Sequence, residues 1–182
     1  MARNIRKSKM KKMRPIFFVF CEGKTEVSYV NFLKAKYRLP IEIIPKKSES
    51  NISVQYIENC KRDYFTTASD RTFLMYDLDI KGLYNKLSLI DNVTLIVSNP
   101  CVEYWYLLHC KVCCTEINTN DCIKKYESIS RNYKKGFLNL YDMNLLNSGE
   151  DMAIERAKET QCPGNPSTTV YKLVEALREY LK

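Results

Sequence analysis

A single histidine, His109, is all that the 182 residues offer to imidazole chemistry, and no Gly-x-Ser-x-Gly segment accompanies it. A serine–histidine triad hydrolase therefore has little support. No apolar run approaches the roughly 18 residues that a membrane span requires. The amino-terminal segment MARNIRKSKMKKMR has no leader-like apolar stretch behind it, because IFFVF is short and runs straight into charged residues. A cytoplasmic protein with no membrane partner is expected. Internal repeats and long linkers are also missing, so residues 15–182 read as one domain, long enough to bury a core without a metal or disulfide staple.

The eight cysteines (21, 60, 101, 110, 113, 114, 122 and 162) lack the secretory context in which disulfides persist, and reduced thiols are expected. HCKVCC contains Cys110-x-x-Cys113 but has no second well-spaced pair, so small buried thiols are favoured over zinc ligands.

Acidic residues are absent from the first 14 positions, where Arg3, Arg6, Lys7, Lys9, Lys11, Lys12 and Arg14 supply seven of the 29 basic residues. The remainder carries 22 basic against 21 acidic residues, so the net charge of +8 belongs to an arm on a nearly neutral body. Residues 1–14 are expected to form a disordered basic arm, either a nucleic-acid tether or a solvated tail.

Beyond the arm, Pro15 to Cys21 is continuously apolar, as a strand buried on both faces of a parallel sheet would be. Val27, Val30, Leu33 and Tyr37 follow at helical spacing. Ile41 to Ile44 predicts a second strand, Ile52 to Tyr64 a helix, RTFLMY a third strand, KGLYNKLSLI a partly helical connection, and Val93 to Ser98 a fourth strand. Strands alternating with helical crossovers predict a mostly parallel four-stranded α/β sheet over about residues 15–98. Helical additions follow over about 99–182: Val102 to Cys113, Asn120 to Ser130, Ser148 to Gln161 with Ser148-x-x-Asp151 as a capping pattern, and Ser167 to Lys182.

Two strands end on acid. CEGKTE places Glu22 after the first strand and Glu26 in the first turn of the next helix, and MYDLD places Asp77 and Asp79 after the third. The carboxyl ends of parallel strands share one rim, and ligands bind where strand order reverses. If the first strand lies between the second and third, these carboxylates become neighbours. Crowded carboxylates repel unless a cation or a proton compensates them, and Mg2+ (or Mn2+), which takes oxygen ligands and keeps several waters, is the natural occupant. The plainer reading is that acidic residues favour a helix start and cap a loop.

CEGKTE followed by MYDLD resembles the Toprim metal site, and its E-G-x-x-E form is similar to that of OLD-family nucleases. SNPCVEYWYLLHC and NPSTTVYKLVEAL further resemble the RloB-like family, small Toprim-related proteins of bacterial restriction and abortive-infection loci, over about Phe17 to Leu177. The resemblance implies a Toprim-like three-layer fold and a metal-dependent nuclease in anti-phage defence, acting on RNA, tRNA or DNA with an ATPase partner. It implies Glu22, Asp77 and Asp79 as metal ligands, Glu22 also serving as general acid or base, with Glu26 and Glu103 completing the catalytic set. A lysine often completes such a site, and Lys158 and Lys172 are candidates.

Helical geometry sets Glu103 on a face with Tyr106, Leu107 and Cys110 and turns His109 toward Val102 and Trp105, so a packed structural histidine is favoured. Asn165 to Thr168 is expected to open the last helix, where Ser167 and Thr168 cap it or hold a phosphate. Lys124, Lys125, Arg131, Lys134 and Lys135 interleave with Tyr126, Tyr133 and Phe137, either as a nucleic-acid surface or as a segment whose tyrosines pack inward. A haloacid-dehalogenase phosphatase carries Asp-x-Asp after its first strand with Thr or Val two residues beyond. Here the third strand carries it and Lys81 follows, so that class is disfavoured. The stronger rival is a non-catalytic module that senses nucleic acid or nucleotide under control of a partner ATPase.

Overall fold

The computed structural model describes residues 14–45 and 52–181. Arg3, Arg6, Lys7, Lys9, Lys11 and Lys12 of the basic arm lie outside the described residues, and Arg14 is exposed.

Strand β1 (Phe17–Cys21) is buried at all five positions. Its alternating side chains divide between two cores, as the two-residue period of a strand requires. Phe17, Val19 and Cys21 face Tyr29, Val30 and Leu33 of α1 (Lys24–Tyr37), α4 (Val102–Cys110) and α8 (Tyr171–Leu181). Phe18 and Phe20 face Ile57 of α2 (Val54–Lys61) and Leu87 of α3 (Leu83–Leu87). The result is three layers, with helices covering both faces of the sheet.

β1 pairs in parallel with β2 (Ile41–Pro45) on one side and β3 (Arg71–Asp77) on the other, and β3 pairs in parallel with β4 (Thr94–Asn99). The order β2-β1-β3-β4-β5 places β1 between β2 and β3, the arrangement required for a shared acidic rim.

The expected four strands become five. Ser167–Thr168 is not the start of a helix but β5, antiparallel to the end of β4 with Ser98 opposite Thr168. The Ser98 and Thr168 hydroxyls are hydrogen-bonded at 2.9 Å, and Thr169 Oγ1 accepts from Val97 N at 2.9 Å. Both Ser167 and Thr168 are buried, which removes them as surface nucleic-acid contacts. Their polar side chains complete the edge of the sheet, and the last helix begins at Tyr171.

The helix expected from Ser148 to Gln161 is α7 (Glu150–Lys158), and a helix the sequence did not suggest, α6 (Leu140–Ser148), precedes it, with the turn between them at Gly149. Ser148 and Asp151 do not cap it. The capping box is instead Asn139 with Asp142 at the start of α6: Asp142 N–H donates to Asn139 Oδ1 at 3.0 Å, and Asn139 N–H donates to Asp142 Oδ2 at 3.1 Å. α5 (Thr119–Glu127) precedes them.

At the start of α7, buried Glu150 ties three helices together. It accepts from Lys36 and Tyr37 of α1, and from Arg178 of α8 at 2.7 and 3.0 Å. α4 is buried from Val102 to His109, and its aromatic rings carry polar ends that all find partners. Trp105 Nε1 donates to Tyr29 Oη at 2.7 Å, and Tyr104 Oη donates to the Cys113 carbonyl at 2.9 Å. His109 packs edge-on against Trp105 with its Nδ1 2.9 Å from the Trp105 carbonyl, and burial pushes its pKa down to about 4, so it is a neutral structural residue.

A β-carbon added to Gly149 would stand 2.4 Å from the His109 carbonyl oxygen and 2.9 Å from its Cβ. Close approach of α7 to α4 therefore depends on a missing side chain. Gly149→Ala is expected to destabilise the fold by about 1–3 kcal/mol, the usual range for overpacking, read as a lower urea midpoint. An unchanged midpoint would contradict this packing.

Candidate active site

The rim at the carboxyl ends of β1 and β3 is assembled from four elements. Glu22 follows β1 directly, and its Oε2 accepts the Asp77 amide at 3.0 Å, joining the ends of two neighbouring strands. Asp77 is the last residue of β3. Glu26 lies in the first turn of α1 and reaches back to accept the Gly23 amide at 2.9 Å. This is half of a capping box, since Gly23 has no side chain to return the bond. Glu103 lies in the first turn of α4, which follows β4, and its Oε1 accepts from Tyr133 Oη at 2.8 Å.

These carboxylates sense one another strongly. Burial, then Glu26, Glu103 and Glu22, push Asp77 up to about 9 from its ordinary 3.8, with Lys135 opposing them. Burial also raises Glu26, helped by Glu103 and Glu22 and opposed by hydrogen bonds from backbone amides, Gly23 among them. The nearby thiols are held protonated: burial and Glu26 raise Cys21, while its pairing with Cys122, burial and Glu103 raise Cys101.

Glu103 is fully buried, and its Oε2 has no hydrogen-bond partner. A buried acceptor without a partner costs about 1–3 kcal/mol, and more when charged. Glu150 shows how the same fold stabilises a buried carboxylate, with two cations and a hydroxyl around it. On the rim, Lys135 is the cation that acts on Asp77, against three carboxylates.

Among the described residues, no three His, Cys, Asp or Glu side chains converge tightly enough to form a ready metal cage. The carboxylates are gathered without being closed around a point. Mg2+ commonly binds through one or two carboxylates and keeps its remaining waters, so an acidic rim with an orphan oxygen fits it better than it would fit an ion needing a full protein shell.

The remaining expected site residues divide clearly. Asp79 is exposed, two residues beyond the end of β3, and Glu26, Glu103 and Glu22 are the carboxylates acting on Asp77. Lys158 is paired with Glu175 at 2.5 Å and Lys172 is exposed on α8, while the lysine whose charge reaches Asp77 is Lys135. Lys124 is exposed, and Lys125 Nζ lies 3.8 Å from Cys113 Sγ. Both line a depression with Asn118 and Asp121 that contains none of the rim carboxylates. Tyr126 and Tyr133 are buried, whereas Lys134, Lys135 and Phe137 are exposed. Sequence reasoning named Lys135 as a nucleic-acid contact and not as the lysine whose charge reaches Asp77. The signal available was Gly136, whose φ of 84° marks a tight turn within KKGF.

A groove of about 540 Å³ opens beside Glu22, lined by Gly23, Lys24, Ser28, Pro45 and Gly136 among others. A slightly larger cleft, about 580 Å³, lies at the starts of β1 and β3 around Phe17 and Arg71, at the far end of the strands from the acidic rim.

A three-layer α/β fold with carboxylates gathered at a strand switch point defines the class of protein. The RloB-like protein family matches residues 17–177, and the chain belongs to that family. No curated protein and no solved structure matches it. No helix among the described residues is long and apolar enough to cross a membrane.

The raised Asp77 pKa has a consequence for stability. The fold favours its protonated form, so in metal-free protein the contribution is complete below about pH 4 and is lost as pH rises through about 9. In EDTA the urea midpoint of the wild type should fall between about pH 5 and pH 9, and Asp77→Asn should flatten that fall. Parallel profiles for the two proteins would show that Asp77 is not held by the other carboxylates.

Proposed function

We propose that the chain is a Mg2+- or Mn2+-dependent nuclease of the Toprim type, hydrolysing phosphodiester bonds in RNA, tRNA or DNA. The observation that carries this reading is the gathering of carboxylates on one rim: Glu22, Glu26 and Glu103 all raise Asp77, which is pushed up to about 9, and Glu103 Oε2 has no hydrogen-bond partner. A divalent cation bound there would supply positive charge against the oxygens of a phosphodiester.

Within this reading, one or two of Glu22, Asp77 and Glu103 would hold the ion and water would complete its shell, with Asp79 exposed beside the rim. Without a cation, Asp77 retains its proton near neutral pH, so cation binding and proton release at Asp77 are coupled. Glu22 accepts the Asp77 amide through Oε2, which fixes its direction, and it lines the groove. Glu26, raised by burial and by its acidic neighbours, is placed to hold or release a proton beside Glu22. Tyr133 fixes one oxygen of Glu103 through its hydroxyl, and the other oxygen, buried, has no hydrogen-bond partner. Family membership supports the wider reading, a role in bacterial anti-phage defence alongside a partner ATPase.

The absence of a ready three-residue cage among the described residues favours a second reading, a non-catalytic module that senses nucleic acid or nucleotide. Cleavage separates the two. Purified protein incubated with labelled tRNA, single-stranded RNA or duplex DNA should cut at least one of them when Mg2+ or Mn2+ is present and none in EDTA. Asp77→Asn should lower the rate by roughly a thousandfold, the loss of several kcal/mol of charge stabilisation, while its circular dichroism stays that of the wild type. Cleavage by Asp77→Asn at the wild-type rate would remove the rim from the chemistry.

A further inference from the structure

The turn at residues 134–137 has no evident folding reason to expose what it exposes. Gly136 adopts a φ of 84°, the Phe137 amide donates to the Lys134 carbonyl at 3.0 Å, and the two residues form an antiparallel bridge. On one side the turn is fixed by Tyr133, which is buried and donates to Glu103. On the other, Leu138 is buried and its amide donates to Ser28 Oγ of α1 at 3.2 Å. Even the middle of the turn is held close, since a β-carbon on Gly136 would meet Lys24 Cβ at 3.1 Å.

Between these anchors the side chains of Lys134, Lys135 and Phe137 are all exposed, Phe137 at 60 %. A turn pinned to a site carboxylate on one side and to α1 on the other thus presents a bare aromatic ring and two cations. Exposed Lys24 adds a third cation beside Gly136. Gly136 and Lys24 both line the groove that runs to Glu22, and its volume of about 540 Å³ falls in the range of roughly 300–1,000 Å³ typical of small-molecule sites.

We propose that the 134–137 turn is a clamp for an unpaired nucleotide, with Phe137 stacking on a base and Lys24, Lys134 and Lys135 on the phosphates that lead to Glu22. The proposal rests on the reading of this rim as a nucleic-acid site and names its substrate class as single-stranded. Stacking on an isolated ring needs a base face, which a duplex buries between its neighbours and a single strand exposes. The phosphates are the charge complement of the three lysines. Lys135 also connects the clamp to the chemistry, because its charge is felt at Asp77.

The test is binding in EDTA, so that no cleavage enters the readout. Fluorescence anisotropy would follow labelled 12-nucleotide single strands, RNA and DNA, and the matching duplexes on the full chain. Single strands should bind more tightly than duplexes. Phe137→Ala should weaken single-strand binding by about ten- to a hundredfold, as loss of one stacked base does, and barely change duplex binding. Phe137→Tyr should restore it. Lys135→Ala should weaken binding to every strand and reduce the salt slope by about one.

Phe137 is mostly exposed, so its truncation leaves the core intact, and every variant keeps the basic arm, whose contribution cancels. Wild-type affinity in Phe137→Ala, an equal loss for duplex and single strand, or preference for duplex would overturn the clamp. The predicted binding pattern without any metal-dependent cleavage would keep the clamp and remove the nuclease. Cleavage with binding indifferent to Phe137 would do the reverse.

Discussion

Repulsion between carboxylates of like charge is the constraint around which the structure is organised. Parallel pairing of β1 with β2 and β3 brings Glu22 and Asp77 to one end of the sheet, and the helices that follow β1 and β4 add Glu26 and Glu103 in their first turns. Such a cluster disperses unless its backbone is rigid. Here β1 is buried on both faces, α4 is buried along nearly its whole length, and Glu22 is hydrogen-bonded to the amide of Asp77. The aromatic groups around α4 extend this support to the side chains, because Tyr106, Tyr126 and Tyr133 pack edge-on or tilted against one another and Tyr133 ends on Glu103.

Glu150 gives the comparison that makes the rim informative. Both centres bury carboxylate, but Glu150 is met by Lys36, Arg178 and the Tyr37 hydroxyl, and it joins α1, α7 and α8 as a satisfied structural group. On the rim, one oxygen of Glu103 has no hydrogen-bond partner among the described residues, and Asp77 is pushed up to about 9 by burial and by Glu26, Glu103 and Glu22. Buried ion pairs are tolerated when geometry and hydrogen bonds compensate the loss of hydration. Carboxylates that raise one another in this way are stabilised by protons or by a bound cation, which is the property a metal-dependent site requires.

Much of this was legible in the sequence, for definite reasons. Continuous apolar runs ending on acid revealed β1 and β3, and the rule that ligands gather at a strand switch point brought Glu22 and Asp77 together before any coordinates. Helical spacing separated Glu103 from His109 correctly. β5 was hidden because Ser167–Thr168 is two polar residues long and carries no hydrophobic period, so NPST read as a helix start. The corner between α6 and α7 was hidden because Gly149 is needed for contact with His109, which is distant in sequence. Asp77 and Asp79 were both read as following β3, whereas Asp77 is its last residue and Asp79 is exposed two residues beyond. Lys135 could not be selected from the other lysines by spacing, because its charge reaches Asp77 only through the fold.

Direct titration of a metal into the metal-free protein tests the central claim, that the rim is built to hold a cation. Calorimetry with Mn2+ at a pH near 8, followed by competition with Mg2+, should show saturable binding that releases protons and is largely lost in both Glu22→Gln and Asp77→Asn. Saturable binding of the same strength in both variants, or none in the wild type, would contradict it.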